Sequence, residues 1–210
     1  MKKGFFILVM CMLSIGSMAQ KKTLSVTRYK EFRPSVITFT DGHQSKQSLT
    51  NIFLKNSSLL FLRGEYTMEA NMDNILSVDF TGDRLFVAIN KQLAYPVDTV
   101  KANILYCIEL FDQDTYEQNL RNNVNISNIS LGDQISTSTI DMNNEDDHKL
   151  PVFRHYWMLL NGEFVKVHER DLSRKLSKEK RTMMKRIIAL PDFSWQDEES
   201  LKKLLRAITD

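Results

Sequence analysis

Two of the four histidines carry the sharpest chemical suggestion in the sequence. Asn161-Gly162 stands between the apolar-rich runs Phe153–Leu160 and Glu163–His168, and Asn-Gly is the pair favoured by a two-residue type I′ hairpin turn. Such a turn pairs Leu160 with Glu163, Leu159 with Phe164, Met158 with Val165, Trp157 with Lys166, Tyr156 with Val167 and His155 with His168. Directly opposed residues have Cβ atoms about 4.5–5.5 Å apart. Two imidazoles at that separation can share a Zn²⁺ ion, given a third ligand such as His148 or an acid of the 141–147 stretch. This reading makes the hairpin a metal-binding or hydrolytic centre. The plainer alternative is two polar residues at the open end of a hairpin, which a register slip of one residue would separate.

Charge supplies a second candidate. Between Lys166 and Arg186 nine basic residues stand against three acids. Lys166, Arg170, Arg174, Lys178, Arg181 and Lys185 form a basic patch able to attract anionic lipid headgroups, an acidic glycan or an acidic protein. The same residues would equally serve as the solvated face of amphipathic helices. Asp141 to His148 clusters acids with Asn, but Asp146 and Val152 occupy the positions where a Ca²⁺ loop of the EF-hand type needs Gly and Glu. A solvated acidic loop is the better reading. Cys107 sits among Leu105, Tyr106, Ile108 and Leu110, with no local base or helix start to lower its pKa, and reads as a buried structural thiol. The chain has no Gly-rich phosphate loop, G-x-S-x-G, H-E-x-x-H or C-x-x-C, so no catalytic residue is assigned.

The elements that must position these groups follow from pattern and punctuation. Residues 1–19 join Lys2 and Lys3, an apolar run from Phe5 to Ile15 and the small residues Ser17 and Ala19, the three parts of a secretory signal peptide cleaved after Ala19. The run is short for a bilayer span of ~20 residues. Cleavage leaves 26 basic and 26 acidic residues and Cys107 as the one remaining thiol. An electroneutral exported chain has neither a nucleic-acid footprint nor an intramolecular disulfide. No later stretch is apolar for long enough to span a membrane. The composition, 42% hydrophobic and 26% charged over 210 residues, is that of a globular chain with a real core and excludes collagen-like, disordered and disulfide-scaffold classes.

Residues 20–33 read as a polar, basic arm. Residues 34–111 alternate short β-branched runs with turns: Asp41-Gly42 as a type I′ turn, Gly64-Glu65 as a type II′ turn, and Thr81-Gly82-Asp83 as a three-residue loop. Pro96 marks 93–100 as an edge strand. Residues 103–111 form the last and most apolar strand. This region is a small antiparallel β-barrel or half-barrel. Residues 112–150 connect through a short helix over 112–122 and a polar, acidic loop. Residues 151–210 supply the hairpin and three helices, 169–176, 178–190 and one opened by Ser194 with Asp197 as a variant capping box. Leu201, Leu204, Leu205 and Ile208 form the buried stripe of the last helix. The whole is α+β, a half-barrel-like domain followed by a hairpin and a helical tail.

The segments VITFTDG (36–42), NILSVDFTGDRLFVAI (74–89), NILYCIEL (103–110), the NGE-centred hairpin and DFSWQDEESLKKLL (192–205) make the chain resemble a group of uncharacterised exported proteins of Gram-negative bacteria. The 36–80 stretch is also similar in pattern to SH3-like or Sm-like barrels. The resemblance implies a β-rich exported fold, in the periplasm or at the cell surface, and assigns no activity. With the missing motifs, it points to a non-enzymatic envelope module that binds a protein or glycan.

Overall fold

Glycine and asparagine set the corners of the barrel, and alternation sets its inside. The computed structural model describes residues 26–123 and 150–209. Strand β1 (Arg33–Phe39) turns into β2 (Gln44–Phe53), then β3 (Ser58–Arg63) and β4 (Tyr66–Glu69). A single 3₁₀ turn, Met72–Asn74, reverses the chain into β5 (Ile75–Phe80), followed by β6 (Leu85–Ile89), β7 (Gln92–Val100) and β8 (Asn103–Phe111). Helix α1 (Gln113–Asn123) is capped by Asp112, whose carboxylate accepts the Thr115 N–H at 2.9 Å. After the undescribed stretch come β9 (Val152–Leu160), β10 (Glu163–Lys166) and helices α2 (Glu169–Lys175), α3 (Lys178–Ile188) and α4 (Glu198–Thr209).

All ten described strands join one antiparallel sheet in the order β10-β9-β8-β7-β6-β5-β1-β2-β3-β4. The sheet curls into a half-barrel, so the α+β half-barrel architecture expected above is the architecture observed. Curling brings the β2–β3 turn against the middle strands. Leu93 N–H donates to Ser57 O at 2.7 Å, Ser57 Oγ donates to Leu93 O at 2.8 Å, and Phe111 N–H donates to Leu54 O at 2.8 Å. The sheet also runs on past residue 111: β8 pairs with β9 from Ile104–Leu159 to Phe111–Val152. The hairpin thus extends the barrel sheet itself.

Three local expectations change. At Asp41-Gly42 the loop has three residues: Gly42 N–H donates to Phe39 O, Phe39 N–H donates to His43 O, and only Gly42 takes positive φ, at 88°. That is a type I turn closed by a left-handed glycine, because the type I′ turn would force Asp41 left-handed as well. Strand β7 is internal, between β6 and β8. Pro96 is tolerated because the β6–β7 ladder has ended at Ala94 and the β7–β8 register slips between Pro96 and Asp98. Helix α4 starts at Glu198, and its cap is Asp197, not Ser194: the Asp197 carboxylate accepts the Ser200 N–H and Oγ–H, both at 2.8 Å. The Gly64-Glu65 and Thr81-Gly82-Asp83 loops have their expected lengths.

The Asp197 cap predicts a pH effect. The Ser200 N–H favours the ionised carboxylate and holds its pKa below the ordinary aspartate value. A folded pKa below the unfolded one contributes stability above the unfolded pKa, and that contribution is lost as pH falls through the folded value. Asp197→Asn keeps a capping acceptor without the titration. Its unfolding midpoint should fall less steeply between neutral and acid pH than that of the wild type in parallel urea titrations.

The core fills the concave side. Leu59, Val78, Phe80, Phe86, Leu93, Leu105, Cys107 and Met158 are almost wholly covered, and α4 lays Leu201, Leu204, Leu205 and Ile208 against β7 and β8. The spacing of the α4 residues is the expected stripe. Each such side chain contributes about 1.5–3 kcal/mol by leaving water. Polar ties fix the far end of α4: Asn103 Nδ2 donates to Thr209 Oγ1 at 3.2 Å, and Arg206 pairs with Asp98 at 3.1 Å. Among the described residues no helix is long and apolar enough to cross a membrane.

Candidate functional site

The Asn161–Gly162 turn forms as its residues dictate, with φ values of 51° and 84°. Its register runs Leu160–Glu163, Leu159–Phe164, Met158–Val165 and Trp157–Lys166, the four inner pairs expected. Beyond them the strand is given up. Val167 N–H still donates to Tyr156 O at 3.0 Å, but His168 N–H turns back to Lys166 O at 2.9 Å, a tight turn that directs the chain into α2. His168 becomes the N-cap of α2, and its Nδ1 accepts the Arg170 N–H at 3.3 Å.

The His155–His168 rung is therefore absent from the ladder, because capping α2 satisfies orphan helix N–H groups that a further strand pair would leave open. His155 stays on β9, opposite Ile108 of β8. His168 lies beside the Trp195 ring, itself packed edge-on to Phe193 at 4.9 Å. His148 and the acidic 141–147 stretch lie outside the described residues. Among the described residues no three of His, Cys, Asp and Glu gather closely enough to hold a metal ion.

Cys107 is buried on the inner face of β8 as its neighbours imply. Burial pushes its thiol up to about 11, so the reactive thiolate is scarce at pH 8. An aromatic disulfide reagent at that pH should leave Cys107 of the native protein unlabelled and label it on unfolding. Fast labelling of the folded protein would contradict this burial.

The residues of the basic patch are all exposed, Lys166 on β10, Arg170 and Arg174 on α2, and Lys178, Arg181 and Lys185 on α3. Helices α2 and α3 are joined through Leu176 and Ser177, whose Oγ caps α3 by accepting the Lys180 N–H at 3.3 Å. Arg181 donates to Leu176 O at 3.2 Å, closing the end of α2. Lys178, Arg181 and Lys185, spaced three and four apart, share the solvent side of α3, while Met184, Ile187 and Ile188 turn inward. Arg174 lies 3.8 Å from Asp171. Among the described residues Lys166, Arg170, Lys178 and Lys185 have no ion pair.

The same corner contains a recess of about 320 Å³ between the hairpin turn and the two helices. Arg174, Lys175 and Lys180 line it, with Asn161 and Asn103 on the turn side. Its one acid, Glu163, is bonded to Lys175, and that bond holds the Glu163 carboxyl below its ordinary pKa. Lys180 lines the recess and has no ionic partner among the described residues. Lys175 and Lys180 complete a concave cationic surface that the sequence pattern had left among solvated helix charges.

Sequence reasoning missed a second polar centre entirely. Glu109 Oε1 accepts the Tyr95 hydroxyl at 2.9 Å and the Arg154 Nε–H at 3.4 Å, and Oε2 is ion-paired with Arg28. These residues come from four separate stretches, so no spacing betrays them. One clue existed: Glu109 continues the inward alternation Leu105, Cys107 in the most apolar strand, a position where a charge must find partners. Comparison with protein-family models, with curated proteins and with solved structures gives no match for this chain.

Proposed function

We propose that the protein is an exported, non-enzymatic module of the cell envelope that holds an acidic glycan on the basic surface of α2 and α3. The observation that carries this reading is the recess beside the hairpin turn, lined by Arg174, Lys175 and Lys180 with Glu163 as the one acid of its lining. Guanidinium and ammonium groups around a concavity bind carboxylate or sulfate groups by charge-assisted hydrogen bonds, and the amide of Asn161 offers a donor and an acceptor for hydroxyls. A lipid surface suits this corner less well, because the apolar face of α3 is occupied by α4. Export rests on the tripartite leader at 1–19 and on the resemblance to exported proteins of Gram-negative bacteria. It predicts that the protein recovered from fractionated producer cells has the intact mass of a chain starting at Gln20.

Binding of the mature chain to an immobilised polyuronate, over rising salt, tests the reading. Affinity should fall steadily with salt, and an uncharged glucan should not bind. Arg174→Ala/Lys175→Ala/Lys180→Ala should weaken binding by roughly tenfold to a hundredfold at unchanged thermal stability. Salt-insensitive binding, equal binding of the triple variant, or binding to anionic vesicles alone would overturn it.

A further inference from the structure

Arg28 enters the half-barrel from a segment held in place independently of its side chain. Leu54 N–H donates to Val26 O at 2.9 Å, Arg28 N–H donates to Ile52 O at 3.0 Å, and Thr27 bridges Phe53. Asn51 grips the next residue through its backbone, accepting the Tyr29 N–H at 3.1 Å and donating to Tyr29 O at 2.9 Å. From this anchored backbone the Arg28 guanidinium reaches inward, its Cζ 4.9 Å from the Tyr95 ring centre, 5.3 Å from Phe86 and 5.9 Å from Tyr29. Its head is ion-paired with Glu109, and the two side chains are only 17% and 12% exposed.

Three aromatic rings around a cation, with a carboxylate at the back, form a recognition cage. The cage favours guanidinium specifically. Arg84 stacks on the same Tyr95 ring at 4.7 Å, and Arg154 approaches the other oxygen of Glu109 at 3.4 Å. Arg28 meets both the phenol and the carboxylate, Arg84 the phenol and Arg154 the carboxylate. A planar guanidinium can both stack on a ring and bond a carboxylate edge, whereas an ammonium is a compact, strongly hydrated point charge. Desolvating a cation is costly where an apolar side chain would fill the same space. The rings are held from outside: Phe86 packs edge-on between Phe80 at 5.6 Å and Tyr95 at 5.9 Å. Burial, chiefly, raises the Tyr95 pKa, which keeps its hydroxyl a donor to Glu109.

We propose that Phe86, Tyr95 and Glu109 form a guanidinium-recognition site that Arg28 fills in cis, and that the same cage takes up a free arginine side chain once the Arg28 side chain is removed. The site is separate from the basic recess, and either proposal can fail without the other.

The test uses the mature chain carrying Arg28→Ala, in which the Asn51 clamp still holds the segment. N-Acetylarginine amide is titrated against it, with N-acetyllysine amide at equal ionic strength as control. The arginine probe should bind Arg28→Ala saturably and raise its Tm by about 3–5 °C at ten times its dissociation constant. It should do nothing to the wild type, whose cage is filled, or to Arg28→Ala/Glu109→Gln. If Arg28→Ala does not fold, refolding by the arginine probe and not by the lysine probe gives the same support. A folded Arg28→Ala without saturable binding, an unfolded one that neither probe restores, or equal response to both probes would overturn the proposal.

Discussion

Asn51→Ala should lower the free energy of unfolding by about 2–4 kcal/mol. Asn51 is buried within β2, opposite Leu60 of β3. Its Oδ1 accepts from Tyr29 and from Ile52, at 3.1 and 2.8 Å. Its Nδ2 donates to Tyr29 O at 2.9 Å and to Glu31 O at 3.4 Å. The amide thus supplies the backbone partners that another strand would supply if the 26–32 segment paired regularly with β2. Alanine leaves the Tyr29 N–H and C=O without them in a half-buried site, each costing about 1–3 kcal/mol less whatever water restores. Asn51→Asp keeps the acceptor and loses the donor, so it should fall between the two. Urea unfolding should show an earlier midpoint with an unchanged slope. A loss below about 1 kcal/mol for alanine would mean that the segment is held by its β2 pairing alone.

The contrast between Asn51 and Asn161 shows where the sequence is legible. Asn161 acts through its own backbone: with Gly162 it adopts a turn that few other pairs allow, and turn and register can be read from adjacent letters. Asn51 acts through a side chain that meets a segment 20 or more residues away, and nothing near it in sequence announces that role. The same division runs through the molecule. Strand alternation and the α4 stripe are local and were recoverable. At Pro96 the rule that proline avoids central strands holds, but it applies to a stretch whose β6 neighbour has ended. At His168 two local preferences compete, one more hairpin rung or a helix cap, and the cap prevails because a helix follows at once. The basic patch was visible as composition. Its concavity was not, because the recess needs the hairpin turn and two helices brought together.

Leu204→Ala should cost about 3–5 kcal/mol, among the largest effects expected of a single truncation in the helical tail. Leu204 is wholly buried in α4, in the cluster that joins the helix to β7 and β8. The covering of that part of the sheet is α4 itself, flanked by Leu201, Leu205 and Ile208, all equally buried. A helix lying on a curved sheet cannot collapse onto a lost side chain without pulling away from its polar ties at Thr209 and Arg206. The cavity term therefore adds to the lost transfer energy instead of relaxing away. Helix α3 packs chiefly on α4, whereas α2 packs on β10, so the α3 side of the basic surface rides on this contact. Leu204→Ala should consequently lower the unfolding midpoint while leaving polyuronate affinity unchanged at temperatures where the variant is folded. Removing the recess cations should do the reverse. A Leu204→Ala protein that loses little stability would show that α4 is not what closes the half-barrel, and the basic surface would then lack the rigid support that a concave binding site requires.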